Sequence, residues 1–313
     1  MTEDAHEDDI SLRELFSVLW SGKILILSLT LLASVISVGY ALSLPNVYQS
    51  SALLSPAEDS GNNLSGMLSQ YGGLAGMAGL PVLGGGEVSK TGLALEVIRS
   101  RAFIKEFISK HNVLPELLAL DHWDPDTREL VLNSDLYNQR TEQWIASNSS
   151  SQSALPSDRD AFEAFIGVLG VSQNKKSNLV TISIKHQSPD TARQWVSWLV
   201  EDINETIRQK DIKEAEESIE YLKRQAAGNA VTDLDQVFFE LMQAQMQKMM
   251  LAEVRREYVL TTIDPAIAPE IRVEPNRALT CILGAIFGGI IGVLISLIRY
   301  YAKTRRIEAR TQF

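Results

Sequence analysis

Two strongly apolar stretches of this chain, Ile24 to Leu44 and Ala278 to Ile298, are 21 residues each and carry no charge. At about 1.5 Å rise per residue, either run makes a helix of roughly 30 Å, the hydrocarbon thickness of a bilayer. A buried core helix is rarely this long and normally keeps a polar face. Both runs are therefore expected to be transmembrane helices. Ala41-Leu42-Ser43 resembles a signal-peptide cleavage site. However, the apolar run outlasts a usual signal core and follows acidic rather than basic residues, which favours a retained anchor.

Between the two runs the pattern is that of a folded domain. Val47 to Leu54 alternates as a strand, and helical spacing follows through Leu93, Val97, Ile98, Ile104 and Ile108. Asn133 to Ser157 is polar and reads as loop, including Asn148-Ser149-Ser150-Ser151. An apolar-rich stretch, Phe162 to Val171, precedes a half-buried strand from Asn178 to His186. Ser188-Pro189-Asp190 is a helix start, a cap followed by proline at the first helical position. From there no breaker occurs before Gly228, so the spacing predicts a helix of about 58 Å. A second helix is predicted from Asp233 to Tyr258, then a return strand from Val259 to Ile263 and a linker with Pro265, Pro269 and Pro275. Long helices joined by a short break predict a protrusion rising from a compact base.

Two segments are open to more than one reading. Ser11-Leu12-Arg13-Glu14 fits a capping box, and Leu12, Leu15, Phe16, Leu19 and Trp20 then share one helical face. That helix either lies in the membrane interface or extends the first span. Residues 61–86 include nine glycines among Leu64, Met67, Leu68, Tyr71 and Leu74. They are too glycine-rich for a stable helix, leaving either a loop that packs at an interface or touches the membrane, or a disordered segment.

Charge settles the expected topology. The net charge of −10 divides into −5 for residues 1–22, +4 for 299–313 and −9 for the remainder. Arg299, Lys303, Arg305, Arg306 and Arg310 follow the second span, and basic residues mark the cytoplasmic side. Two spans then place both termini in the cytoplasm. The expected organisation is an N-terminal cytoplasmic or interfacial helix (1–23), a first span (24–44), an extracytoplasmic α/β and long-helix domain (45–277), a second span (278–298) and a basic cytoplasmic tail (299–313). The fold class is α+β. A pI near 5.0 argues against nucleic acid as a main partner.

Candidate chemistry is sparse. Cys281 is the only cysteine, which excludes an internal disulfide and multi-cysteine metal sites. His6, His111, His122 and His186 have no partner at metal-ligand spacing. Gly84-Gly85-Gly86-Glu87-Val88-Ser89-Lys90-Thr91 approaches a P-loop, but Ser89 stands where the second glycine is required. No catalytic, cofactor or metal site is expected. The methionines Met242, Met246, Met249 and Met250 recur at helical spacing as packing residues. In the second span, Gly284, Gly288 and Gly292 give two overlapping G-x-x-x-G motifs. Ala33, Ser37 and Ala41 offer a matching small-residue face, and the two faces are expected to pack, within a chain or between chains. The alternative is the ordinary glycine enrichment of membrane helices.

These features resemble one family across nearly the whole chain. "DDISLRELFSVLWSGK" before the first span, "DIKEAEESIEYLKRQ" in the long helix and "LAEVRREYVLTTIDPAIAPEIRVEPNRALTCILGAIFGG" from Leu251 to Gly289 are similar to the Wzz-type chain-length determinants. These are also called polysaccharide co-polymerases. The resemblance implies a non-enzymatic protein of the bacterial inner membrane with its main domain in the periplasm. It further implies a ring or bell of identical subunits that works with a membrane polymerase on a growing lipid-linked polysaccharide such as lipopolysaccharide O-antigen. The glycine-rich insert resembles larger, export-linked relatives, which implies capsule or exopolysaccharide export as the alternative.

Overall fold

The computed structural model describes residue 20 and residues 22–57, 90–145, 156–228 and 232–311. The Ser11–Glu14 helix, the glycine-rich run, most of the P-loop-like octapeptide and Asn148–Ser151 lie outside them. In chain order, the first elements are α1 (Lys23–Ser43), β1 (Val47–Pro56), α2 (Lys90–Ile98), α3 (Arg101–His111) and α4 (Leu114–Leu118). Two small hairpins follow, β2 (Leu120–Trp123) with β3 (Leu130–Leu132), and β4 (Tyr137–Asn138) with β5 (Gln143–Trp144). Then come α5 (Asp158–Val168), β6 (Leu169–Gln173), β7 (Val180–His186), α6 (Pro189–Gly228) and α7 (Thr232–Val254). The chain closes with β8 (Leu260–Asp264), β9 (Arg272–Glu274) and α8 (Arg277–Thr311). It divides into two compact units, Met1–Val47 with Arg272–Phe313, and Tyr48–Ile271.

The second unit is built on an antiparallel sheet in the order β6-β7-β1-β8. Alternation along β7 sends Val180, Ile182 and Ile184 to one buried face, where Ala52 lies opposite Ile182 and Leu54 opposite Val180. The first half of α6 buries Trp195, Val196, Leu199, Ile203 and Ile207 in the same core. Each such side chain contributes roughly 1.5–3 kcal/mol by leaving water, so this half anchors the helix. Phe107 of α3 and Phe165 of α5 join the core with ring centroids 5.2 Å apart.

The start of α6 follows its sequence signal: Ser188 Oγ accepts a hydrogen bond from the Thr191 N–H at 3.2 Å, and Pro189 is the first helical residue. The helix runs 40 residues, about 60 Å. From Ala215 onward its buried residues become sparse, and α7 packs alongside with Met242 and Ala252 inside. A mixed helix-and-strand body with one very long helix is thus the observed class.

Several local expectations change. The helical spacing from Leu93 to Ile108 is two helices, because Ser100 turns the chain and caps α3 through the Phe103 N–H at 3.3 Å. Phe162 to Val171 divides between the end of α5 and β6, and a Ser157–Asp160 capping box starts α5. The polar loop after Asn133 contains the β4–β5 ladder, closed by Tyr137 against Trp144 at 5.3 Å. The second long helix stops at Val254, four residues early, and the return strand is Leu260–Asp264.

Candidate functional site

The first unit consists chiefly of α1 packed on α8. Both helices are long and apolar enough to cross a membrane. Only 11% of the most apolar window of α1 and 17% of that of α8 is buried, whereas a soluble core helix would be mostly covered. Leu27, Leu31, Val35 and Ile36 of α1 and Ile286, Phe287, Ile290 and Leu294 of α8 are exposed.

The contact between the helices runs through small residues. A Cβ added at Gly288 would lie 2.5 Å from Ala33 Cβ and 3.1 Å from Thr30 Cα, closer than packed carbon atoms approach. One added at Gly284 would collide with the Ser37 side chain, and one at Gly292 would lie 3.0 Å from Ile26 Cα. Ser37 Oγ donates to the Thr280 carbonyl at 2.8 Å, a hydrogen bond between helices where few polar groups are available. Gly284, Gly288, Ala33 and Ser37 are thus brought together. Gly292 meets Ile26 instead of a small residue, and Ala41 is buried. Arg299 is exposed on α8, which continues as helix through Lys303, Arg305, Arg306 and Arg310 to Thr311. Pro265 and Pro269 fall in the irregular stretch after β8, and Pro275 lies two residues before α8.

The second unit holds three polar clusters that sequence reading did not single out. Asp211 of α6 accepts from the Tyr258 hydroxyl at 2.6 Å, with Lys90 Nζ at 3.4 Å and Lys248 Nζ at 3.5 Å. Burial alone would raise the Asp211 carboxyl. The Tyr258 hydroxyl and the two ammonium groups more than offset this, holding it below the ordinary carboxylate value. Burial and the Asp211 carboxylate push Tyr258 up to about 12. Asp202 is buried between Lys110 Nζ at 2.6 Å and His111 Nε2 at 2.8 Å, and Trp198 stacks on the His111 ring at 4.2 Å. The hydrogen bond to Asp202 raises Lys110. Asn204 accepts from the Val259 and Leu260 N–H groups at 2.8 and 3.0 Å and donates to the Leu260 carbonyl at 3.0 Å.

These clusters tie α6 to α2, α3, α7 and the return strand. Of the two histidine–carboxylate pairings among the described residues, that of His111 with Asp202 is occupied by Lys110 and roofed by Trp198. The other joins His122 to its neighbour Asp121, at 3.0 Å on the exposed surface. A cleft of about 450 Å³ beside Lys90, Thr91, Gln173, Asn178 and Tyr258 offers amides, a phenol and an ammonium group, without a carboxylate in its lining. Among the described residues no group of three histidine, cysteine or acidic side chains is placed to hold a metal ion.

Comparison with known proteins points to one family. Residues 8–111, about a third of the chain, match the family model "Wzz: Chain length determinant protein". The resemblance read from the sequence is borne out there. Among solved structures the chain is similar to a "full-length bacterial polysaccharide co-polymerase", at 15% identity and a TM-score of 0.37, covering 94% of this chain and 99% of that one. It is also similar to a fragment of WzzB, a polysaccharide co-polymerase from Salmonella Typhimurium, at 14% identity and a TM-score of 0.29. That match covers 73% of this chain and all of the fragment. No curated protein matches.

Proposed function

We propose that this chain is a non-catalytic scaffold of the bacterial inner membrane that sets the modal length of a surface polysaccharide such as O-antigen. It acts as a ring or bell of identical subunits, beside a membrane polymerase and its growing lipid-linked polymer. The match of residues 8–111 to the chain-length-determinant family carries this reading. Two helices of membrane-spanning length and a 40-residue helix support it. The basic residues after the second span support cytoplasmic termini and a periplasmic main domain.

Such a protein needs no reacting groups of its own. It works by holding surfaces at fixed separations, for which a helix of about 60 Å is suited. Deleting the gene should erase the modal band of the polysaccharide ladder on a gel, broadening or shortening the distribution while polymer is still made. A ladder that keeps its modal band in the deletion strain would sink the proposal. The glycine-rich segment 61–86 favours a second reading, capsule or exopolysaccharide export. On the same gel, that role predicts loss of surface polymer altogether.

A further inference from the structure

The core of the second unit encloses α6 as far as Ile207, with Ile212 packed on its margin, and takes in Ala252 of α7. One turn on from Ile207, Asp211 is buried and held from three elements. Lys90 opens α2, Lys248 lies one turn before Ala252 on α7, and Tyr258 stands two residues ahead of β8. Their polar atoms reach the Asp211 carboxylate at 3.4, 3.5 and 2.6 Å, and Lys248 also reaches Glu214 at 3.6 Å. One carboxylate thus joins three separate elements to α6 at the level where the core gives out.

Such a junction is stiff. Pulling a partner away leaves a charge shielded from water, so a buried carboxylate holds its partners far more firmly than exposed ion pairs hold theirs. Past Asp211 the restraint changes kind. The helix continues for 17 residues to Gly228, about 26 Å, and along that stretch Ala215 and Ile219 are its buried residues. Helix α7 is the element packed most extensively on α6. Because α6 is continuous, its outer part changes direction by bending, and Asp211 stands where bending is opposed. Helices curve with radii of about 60–100 Å, so over the roughly 18 Å from Asp211 to Lys223 such a curve displaces Lys223 by about 2–3 Å.

We propose that the Asp211 cluster is a positioning latch. By joining α6 to α2, α7 and the approach to β8, it fixes the direction in which the outer parts of α6 and α7 leave the sheet, and that direction is one determinant of polymer length. The link to length rests on the function proposed above, whereas the latch itself does not. Asp211, Lys90, Lys248 and Tyr258 act through the helices they hold.

Pulsed electron paramagnetic resonance on the full chain in detergent tests the latch. In a Cys281→Ser background, spin labels at Glu106→Cys on α3 and Lys223→Cys on α6, both exposed, report the direction of the outer helix. A second pair, Glu106→Cys with Lys176→Cys in the exposed turn between β6 and β7, reports the body alone. Labelled chains are diluted with unlabelled ones, so that each distance is read within one chain. Lys248→Met and Tyr258→Phe keep side-chain bulk; each should shift or broaden the first distance by about 2–3 Å and leave the second unchanged. Lys213→Met, at an exposed position on the same helix, should change neither. A first distance as narrow and as centred as wild type in both variants overturns the latch. So does an equal change in both label pairs, which would mean general loosening. In cells, the same variants at wild-type amounts in the membrane should move the modal band of the polysaccharide ladder while a band persists. A moved helix with an unmoved band overturns the link to length. A ladder unaffected by deletion of the gene sinks the proposed function instead, and the distance measurements still decide the latch.

Discussion

At the scale of single residues, His186 illustrates how burial sets protonation. Its Nδ1 accepts from the Ser188 N–H at 3.0 Å, which places the proton on Nε2, and Nε2 is buried without a hydrogen-bond partner. Burial pushes the imidazole down to about 4 from an ordinary 6.5. Between these values the unfolded chain takes up a proton that the folded chain refuses. The stability His186 allows is therefore whole above pH 6.5 and is lost as pH falls toward 4, by about 3 kcal/mol. Glu116 works the other way, since burial raises its carboxyl, against the Trp195 indole, and that contribution fades as pH rises through its folded value. Urea unfolding between pH 4 and 7 should show a shallower acid slope for His186→Gln than for wild type. Parallel slopes would mean that the imidazole is not what acid attacks.

Asn204 is the second decisive residue. Truncation to alanine strands two buried N–H groups and a carbonyl of the return strand, a loss of roughly 2–4 kcal/mol. Asn204→Asp should also destabilise, because the Nδ2 bonds to the Val200 and Leu260 carbonyls become contacts between oxygens. Urea midpoints for both variants within error of wild type would remove Asn204 from the role of clamp. Nothing in the local sequence marks this residue, since its acceptor contacts lie 55 and 56 residues away.

At the scale of elements, the helix pair depends on backbone approach. Gly288→Leu must separate α8 from Thr30 and Leu29 of α1, with an overpacking cost of about 1–3 kcal/mol. Gly289→Ala, one residue on, meets nothing nearer than Thr30 Oγ1 at 3.7 Å and should be neutral. Thermal unfolding in detergent should rank Gly288→Leu well below wild type and Gly289→Ala beside it; equal midpoints for all three would refute the packing role of Gly288. Measuring oligomer size for the same three proteins shows whether this face matters beyond one chain. Elsewhere, helix and strand periods were legible where a cap or proline stood beside them, as at Ser188-Pro189. They blurred where one short side chain decided the outcome, as Ser100 did in splitting the helical run from Leu93 to Ile108.

At the scale of the whole molecule, the role proposed above acts through geometry and not through a reacting group, so the polysaccharide ladder, rather than any kinetic constant, is the readout that tests it. Sequence by itself determined the two apolar helices, the long helix and its start, the alternating strands β1 and β7, and the family resemblance. The elements among these rest on spacing and composition between near neighbours in the chain, which local hydrophobic burial and hydrogen bonding enforce, and the resemblance rests on the order of residues itself. Only the tertiary structure decided the sheet order β6-β7-β1-β8, the clamp of Asn204 on the return strand, and the Asp211 and Asp202 clusters. Each of these joins groups far apart in the chain. Such pairings are chosen by shape, desolvation and charge compensation when the chain closes on itself, and leave no periodic trace in the order of its residues.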